Sequence, residues 1–246
     1  MLIALMADMH ANREAFAACL DHAERAGAQR LVFLGDAVGY GADPQWVAET
    51  VMDRVSRGAT AVLGNHDEAV RRGRGGMNAV AEAAMAWTRG RLSAEAAGFL
   101  DSLPLEAEDE DRLYVHADAS APDRWNYVSE AEEARRSLEA TEAQATFCGH
   151  THVPRLFGIT AAAKLASFTP VPGVPVPLLR PRQWLAVLGA VGQPRDGNPA
   201  ACYGMLDTAR SELTWVRVPY DVAAAAEKIR AAGLPESLAL RLHRGR

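Results

Sequence analysis

A chain of 246 residues is long enough to bury a substantial core, as one large domain or two small ones. Its formal net charge of −5 leaves no basic surplus for gripping a phosphate backbone, which argues against long nucleic acid as the partner. Three widely spaced cysteines, Cys19, Cys148 and Cys202, suggest neither a disulfide framework nor a thiolate zinc site, and a reducing cytoplasm fits best.

The chain opens on an apolar run, residues 2–7, that ends abruptly in Asp8-Met9-His10. No basic region precedes it and it is too short for a signal core, so it reads as a strand rather than an export signal. No stretch reaches membrane-spanning length. Residues 12–27 place Ala15, Phe16, Cys19, Leu20 and Ala23 at helical spacing, with Gly27 as the stop. A second strand, 30–34, ends in Gly35-Asp36. A turn from Gly39-Tyr40-Gly41 to Pro44 follows, and Pro44 opens a helix carrying Trp46, Val47, Val51 and Val55. That turn lacks the third glycine of a nucleotide loop and reads as a plain turn.

A short run, 61–63, leads into Gly64-Asn65-His66-Asp67, expected to be a tight turn at a strand end. Residues 77–101 read as two helices broken near 90–93. After the acidic stretch 105–111, the strand 112–116 ends in His116. Ser129 is the expected cap of a helix through Glu132, Arg135 and Leu138. The run 145–148 ends in Gly149-His150-Thr151-His152. Six prolines and glycines between 168 and 181 exclude helix there. Strands are expected at 184–191, 201–206 and 213–218, then a helix capped by Asp221 and a last one opened by Pro235. No repeat and no linker divides the chain, so residues 1–246 are read as a single domain.

Five apolar runs thus end in chemistry-bearing groups. Such runs read as buried strands, and ligand sites in helix-covered sheets lie at the carboxyl ends of the strands. The groups delivered there are Asp8, His10, Asp36, Asn65, His66, His116, His150 and His152. Imidazoles, carboxylates and an amide carbonyl without thiolates suit manganese, iron, zinc, nickel or cobalt, and argue against a closed structural zinc site. Eight groups exceed what one metal with an open position uses. Two divalent ions sharing a carboxylate would use seven and leave one His for proton transfer, an arrangement suited to in-line displacement at phosphorus.

These five blocks, Asp8-Met9-His10, Gly35-Asp36, Gly64-Asn65-His66-Asp67, His116 and Gly149-His150-Thr151-His152, resemble in order the signature of the calcineurin-like metallophosphoesterase superfamily. The resemblance spans Asp8 to His152 and extends, in residues 189–207, to the C-terminal sheet of small bacterial members. It implies an α/β (α+β) fold, a four-layer αββα sandwich of two mixed sheets flanked by helices. It also implies Asp8, His10, Asp36 and His152 on one metal, with Asn65, His116, His150 and the bridging Asp36 on the other. Manganese is the first choice of ion. His66 would be the proton donor to the leaving oxygen, Asp67 the partner orienting its imidazole, and a metal-bridging hydroxide the nucleophile. Many relatives have glycine after the lone histidine, whereas Ala117 stands here and takes a positive φ less readily.

The function this implies is a phosphoesterase, first a phosphodiesterase on small substrates. A phosphomonoesterase, or a protein or dinucleoside polyphosphate phosphatase, is the alternative, with a non-catalytic metal-binding scaffold as a further class. A nuclease is disfavoured by the absence of a basic stripe. His22 and His243 read as surface residues on helices. Arg71, Arg72 and Arg74 read as a solvated helix end that could reach substrate phosphates. Trp125, Asn126 and Tyr127 read as packing residues near the pocket rim, and Arg195 as a turn residue able to meet a phosphate. Nothing in the sequence fixes an oligomeric state.

Overall fold

The computed structural model describes residues 1–72 and 77–246. Its strands run β1 (Leu2–Met6), β2 (Arg30–Leu34), β3 (Thr60–Val62), β4 (Glu106–Asp109), β5 (Arg112–Val115), β6 (Ala145–Cys148), β7 (Arg155–Ile159), β8 (Leu165–Phe168), β9 (Val176–Pro177), β10 (Gln183–Val187), β11 (Ala201–Asp207) and β12 (Glu212–Val218). The helices are α1 (Arg13–Arg25), α2 (Pro44–Ser56), α3 (Asn65–Arg72), α4 (Ala79–Arg89), α5 (Ala94–Asp101), α6 (Ala131–Glu139), α7 (Val222–Ala231) and α8 (Glu236–Arg244). They form two mixed sheets, β3-β2-β1-β11-β12-β9 and β4-β5-β6-β10-β7-β8.

The alternation of side chains along each strand explains the layers. In β1, Ile3 and Leu5 face the second sheet and meet Tyr114, Phe147, Leu156 and Trp184, while Ala4 and Met6 face outward onto Phe16, Cys19 and Val47 of α1 and α2. On the other sheet, Leu113, Val115, Leu185 and Val187 turn outward to Ala134 and Leu138 of α6. Helix, sheet, sheet and helix therefore stack as four layers, and both strand faces are apolar because both are covered. The parallel triple β1, β2 and β3 brings Asp8, Asp36 and Asn65 to one end of the first sheet. The parallel pair β5 and β6 brings His116 and His150 to the matching end of the second.

Four local expectations change. The stretch Gly64-Asn65-His66-Asp67 is the entry of α3 rather than a tight turn: Asp67 at the third helical position accepts the Gly64 N–H, half of a capping box. The cap of α6 is Glu130 with Glu133, and Ser129 instead donates its backbone N–H to Glu133. β7 and β8 form where no strand was expected, because Gly158 weakens the sequence signal yet leaves the space that the Trp184 ring fills. Asp221 caps α7 as expected, accepting from the Ala224 N–H at 2.9 Å. His22 is half-buried and bonds the Tyr203 hydroxyl at 2.8 Å rather than facing solvent.

Trp215 of β12 is fully buried between the sheets, and its Nε1–H donates to the Val187 carbonyl of β10 at 3.1 Å. Trp215→Ala therefore removes both packing and a cross-sheet hydrogen bond. We expect it to cost about 3–5 kcal/mol in urea unfolding, with Trp215→Phe losing clearly less; equal losses would place the cost in the hydrogen bond that both variants lose rather than in ring packing.

Candidate metal centre

The strand ends do not simply stop; they turn sharply. Asp8, His10, Asp36, His150 and His152 all have left-handed backbone, with φ of 56, 47, 53, 63 and 62°. Each such residue costs on the order of 1 kcal/mol, and clustering of this kind marks a functional site held by its surroundings. The holding bonds are visible: the Asp8 N–H donates to Gly35 at 3.1 Å and the His10 N–H to Asp36 at 2.9 Å, clamping the ends of β1 and β2. Across the sheets, the His150 N–H donates to Asp8 Oδ2 at 2.9 Å. The His66 N–H donates to Asp36 Oδ1 at 2.8 Å, and Gly64 packs so closely on Asp36 that no Cβ fits.

Four imidazoles converge. Each spends one ring nitrogen on a carbonyl: His10 Nδ1 on Val38 (3.2 Å), His116 Nδ1 on Leu34 (2.7 Å), His150 Nε2 on Trp125 (2.9 Å) and His152 Nδ1 on Gln193 (2.6 Å). A carbonyl accepts only, so these nitrogens carry the protons and the opposite nitrogens present lone pairs. The lone-pair nitrogens face one another: His10 Nε2 and His152 Nε2 are 3.1 Å apart, His116 Nε2 and His150 Nδ1 3.2 Å apart. Asn65 Oδ1 lies 3.2 Å from His116 Nε2. Acceptors facing acceptors at these distances repel unless a cation or a proton lies between them.

Asp36 sits between the two groups. Its Oδ2 is 3.4 Å from His116 Nε2 and 3.7 Å from His10 Nε2, while Asp8 Oδ1 is 3.2 Å from His152 Nε2. Ligand atoms of Asp8, His10 and His152 lie together, as do those of Asp36, His116 and His150, and those of His10, Asp36 and His66. All seven residues expected as ligands are thus brought to one place, in two groups that share Asp36. The donor set of imidazoles, carboxylates and one amide fits two borderline divalent cations. The residue after His116 needs no positive φ, so Ala117 is accommodated without strain.

Burial sets the electrostatics. It drives the imidazole of His10 well below its usual range, and burial with the neighbouring His116 takes His150 down to about 3. Burial opposes charge on His116 too, but the Asp36 carboxylate outweighs it and lifts the imidazole to about 9. Asp36 itself, though buried, is held well below the ordinary carboxylate range by His116 and His66.

His66 lines the cleft beside Asp36, buried, with Nδ1 3.3 Å from the weak acceptor Met85 Sδ. No hydrogen bond within the protein engages its Nε2 among the described residues. The expected pairing with Asp67 is not formed. The Asp67 carboxylate instead accepts backbone N–H groups of Ala37 (3.3 Å), Val38 (3.2 Å) and Gly64 (3.2 Å), a consequence of its place in the first turn of α3. Burial and then Asp36 push it up to about 7.

The surrounding cleft, about 220 Å³, adds Tyr40, Met77, Asn78, Ala81, Arg124, Trp125, Tyr127 and Arg195 to these groups. Tyr40, read as a turn residue, is wedged between the His10 and His66 rings with centroids at 4.6 and 4.5 Å. Its place between two glycines was the available signal, and its φ is 64°. The carbonyls that back the imidazoles left no trace in the sequence, since any residue type supplies one. Arg71 pairs with Asp101 at 3.3 Å, away from the cleft lining; Arg74 and the Arg72 side chain lie outside the described residues.

The model for the calcineurin-like phosphoesterase superfamily domain matches residues 1–211. This chain belongs to that superfamily. It is 32% identical over its whole length to an uncharacterized protein of Methanocaldococcus jannaschii, of which it covers 98%. Among solved structures, a metallophosphoesterase from Sphaerobacter thermophilus is 36% identical, with a TM-score of 0.88 over all of this chain and 99% of that one. A hypothetical protein of Pyrococcus horikoshii shares the fold at 17% identity, with a TM-score of 0.79 over all of this chain and 98% of its own. The chain is therefore a metal-dependent phosphoester hydrolase of this superfamily.

The pH dependence of the metal-free protein follows from His116. Its pKa is raised on folding, so its contribution to stability is full below the unfolded value near 6.5 and is lost as pH rises through about 9. We expect the melting temperature of chelator-treated protein to fall between pH 7 and 9, and that slope to flatten in His116→Gln. An unchanged slope in the variant would assign the titration to another group.

Proposed function

We propose that residues 1–246 act as one catalytic unit that hydrolyses small phosphodiesters. The observation carrying this reading is the pair of lone-pair clusters sharing Asp36, with His66 beside them in an open cleft. Asp8, His10, Asp36 and His152 would hold one divalent ion; Asp36, Asn65, His116 and His150 the other, with manganese the first choice for this hard and borderline donor set. Bound there, the ions supply an activated water at neutral pH and positive charge for the phosphate.

The protein's own groups do the rest. Asp8 and Asp36 bring two negative charges against the four positive charges of two divalent ions, so the centre stays cationic and attracts a phosphate anion. Arg195 lines the cleft, carries no carboxylate partner among the described residues and lies 5.9 Å over the Tyr40 ring, which holds its guanidinium for a nonbridging phosphate oxygen. Among the described residues the cleft lining holds one further cation, Arg124, which Asp123 partly offsets at 3.9 Å, so a singly charged diester matches the site better than a doubly charged monoester. His66, whose Nε2 is uncommitted, would give a proton to the leaving oxygen from its imidazolium form, which burial disfavours and the neighbouring Asp36 carboxylate favours, while Met85 and Tyr40 fix its ring. The α7–α8 hairpin packs on Tyr40, Ala81 and Ala84, which supports a single unit reaching to the C-terminus.

The first test is kcat/KM for an aryl phosphodiester against the matching monoester, with Mn²⁺ restored to stripped protein. The expected ratio lies well above one; a ratio well below one favours a phosphomonoesterase, and no turnover with two metals bound favours a scaffold. His66→Ala should slow a poor alkyl leaving group by roughly 10²- to 10⁴-fold while both metals remain bound. Loss of one metal in that variant would make His66 a ligand instead. Arg195→Ala should lower kcat/KM by about 10- to 100-fold, with Arg195→Lys recovering part of it; an unaltered kcat/KM would take Arg195 out of the phosphate site.

A further inference from the structure

The segment that fixes His150 also builds something the hydrolysis of a phosphate does not require. Between the short 3₁₀ turn Pro122–Arg124 and α6, the chain is braced on both sides of one residue. Trp125 is buried, takes a left-handed φ of 57°, donates its indole N–H to Glu68 at 3.0 Å and gives its carbonyl to His150. The Asn126 amide reaches Asp118 at 3.5 Å. The buried Val128 accepts from the Thr151 hydroxyl at 3.3 Å. Tyr127, between them, is 51% exposed.

Its exposure is not that of a side chain loose in solvent. The Tyr127 ring lies flat on the His150 imidazole, centroids 4.3 Å apart and planes within 15°. One face is therefore covered by a residue of the metal centre, and the ring lines the same cleft as Asp36, His66 and Arg195. Met77 and Ala81 add apolar surface to that cleft. A rigid aromatic ring with one face fixed and the other free, one stacking distance from the metal-facing imidazoles, suits a flat partner and gains little from a flexible alkyl chain.

We propose that Tyr127 is a stacking platform for a planar aromatic group carried on the phosphorus, so that the substrates are aryl or nucleoside phosphodiesters rather than alkyl ones. This rests on the phosphodiesterase reading above. The phosphate sits at the metal centre near Arg195, and the planar group lies over the free face of Tyr127. Stacking of a base on an aromatic residue is lost on truncation by a factor of about 10 to 100, and tolerates exchange between aromatic rings.

The test compares Tyr127→Ala, Tyr127→Phe and Tyr127→Trp with wild type, all loaded with Mn²⁺ and assayed for bound metal. Substrates are a nucleoside 5′-ethyl phosphodiester, a phenyl ethyl phosphodiester and a glycerol-based alkyl phosphodiester. Taking each variant-to-wild-type ratio cancels the intrinsic reactivity of the ester. Tyr127→Ala should lose about 10- to 100-fold more kcat/KM on a planar substrate than on the alkyl one, with Phe and Trp restoring most of it. A selective loss on the nucleoside ester identifies the base as the occupant, and one on the phenyl ester alone identifies an aryl group. Titration calorimetry with the nucleoside monophosphate product should show the same selective loss in Kd. Equal losses on all three substrates, or losses tracking metal content, would overturn the platform and leave Tyr127 as a support for His150. If wild type hydrolyses none of the esters with two metals bound, the phosphodiesterase reading has failed instead, and the product titration then judges the platform alone.

Discussion

Four imidazoles aim their second ring nitrogens at one another because four backbone carbonyls hold the first, and much of the molecule is arranged around keeping that uncomfortable geometry. Left to themselves, side chains with facing lone pairs rotate away or take up a proton. Here they cannot rotate, since Leu34, Val38, Trp125 and Gln193 each hold a ring edge at hydrogen-bond distance. Protonation answers the repulsion only once, at His116, where the carboxylate of Asp36 favours the imidazolium. His10 and His150 stay neutral through burial, which is the state a cation needs.

The two-sheet architecture is what makes this possible. One sheet contributes Asp8, His10, Asp36 and Asn65 and the other His116, His150 and His152, so neither sheet alone has a complete set. The hydrogen bond from the His150 backbone to Asp8 crosses between them, and Trp215 ties the same sheets deeper in the core. Strain at five left-handed residues is tolerated because each sits between a well-packed strand and a bond to another loop. The site is therefore rigid for the same reason that the core is dense.

Around this centre lies a second ring of residues that lines the cleft. Tyr40 is held by the α7–α8 hairpin and touches both His10 and His66, linking the C-terminal helices to the groups in the cleft. Arg195 and Tyr127 sit on the same rim, one cationic and one aromatic. On the proposed reading Arg195 meets the phosphate and Tyr127 the group attached to it, which would make the rim the place where substrates are told apart.

Much of this was legible in the sequence because strand ends deliver side chains at fixed places in the chain. Apolar runs that break into Asp8, His10, Asp36, His116 and His150 announce both buried strands and a polar edge, and the order of the blocks marked the family. What the residues alone could not express was which sheet each strand joined, since strand pairing is a long-range choice: β10 inserts between β6 and β7, and β11 beside β1, from far along the chain. Asp67 shows the limit most sharply. Next to His66 in the chain, it looked like that ring's partner, but helix geometry turns it back onto the amides of Ala37, Val38 and Gly64. The sequence by itself determined the donor set, because ligand chemistry resides in residue type. Tertiary structure alone decided the proton positions, the facing lone pairs and the exposed ring of Tyr127, because those depend on backbone carbonyls and packing partners brought from distant elements.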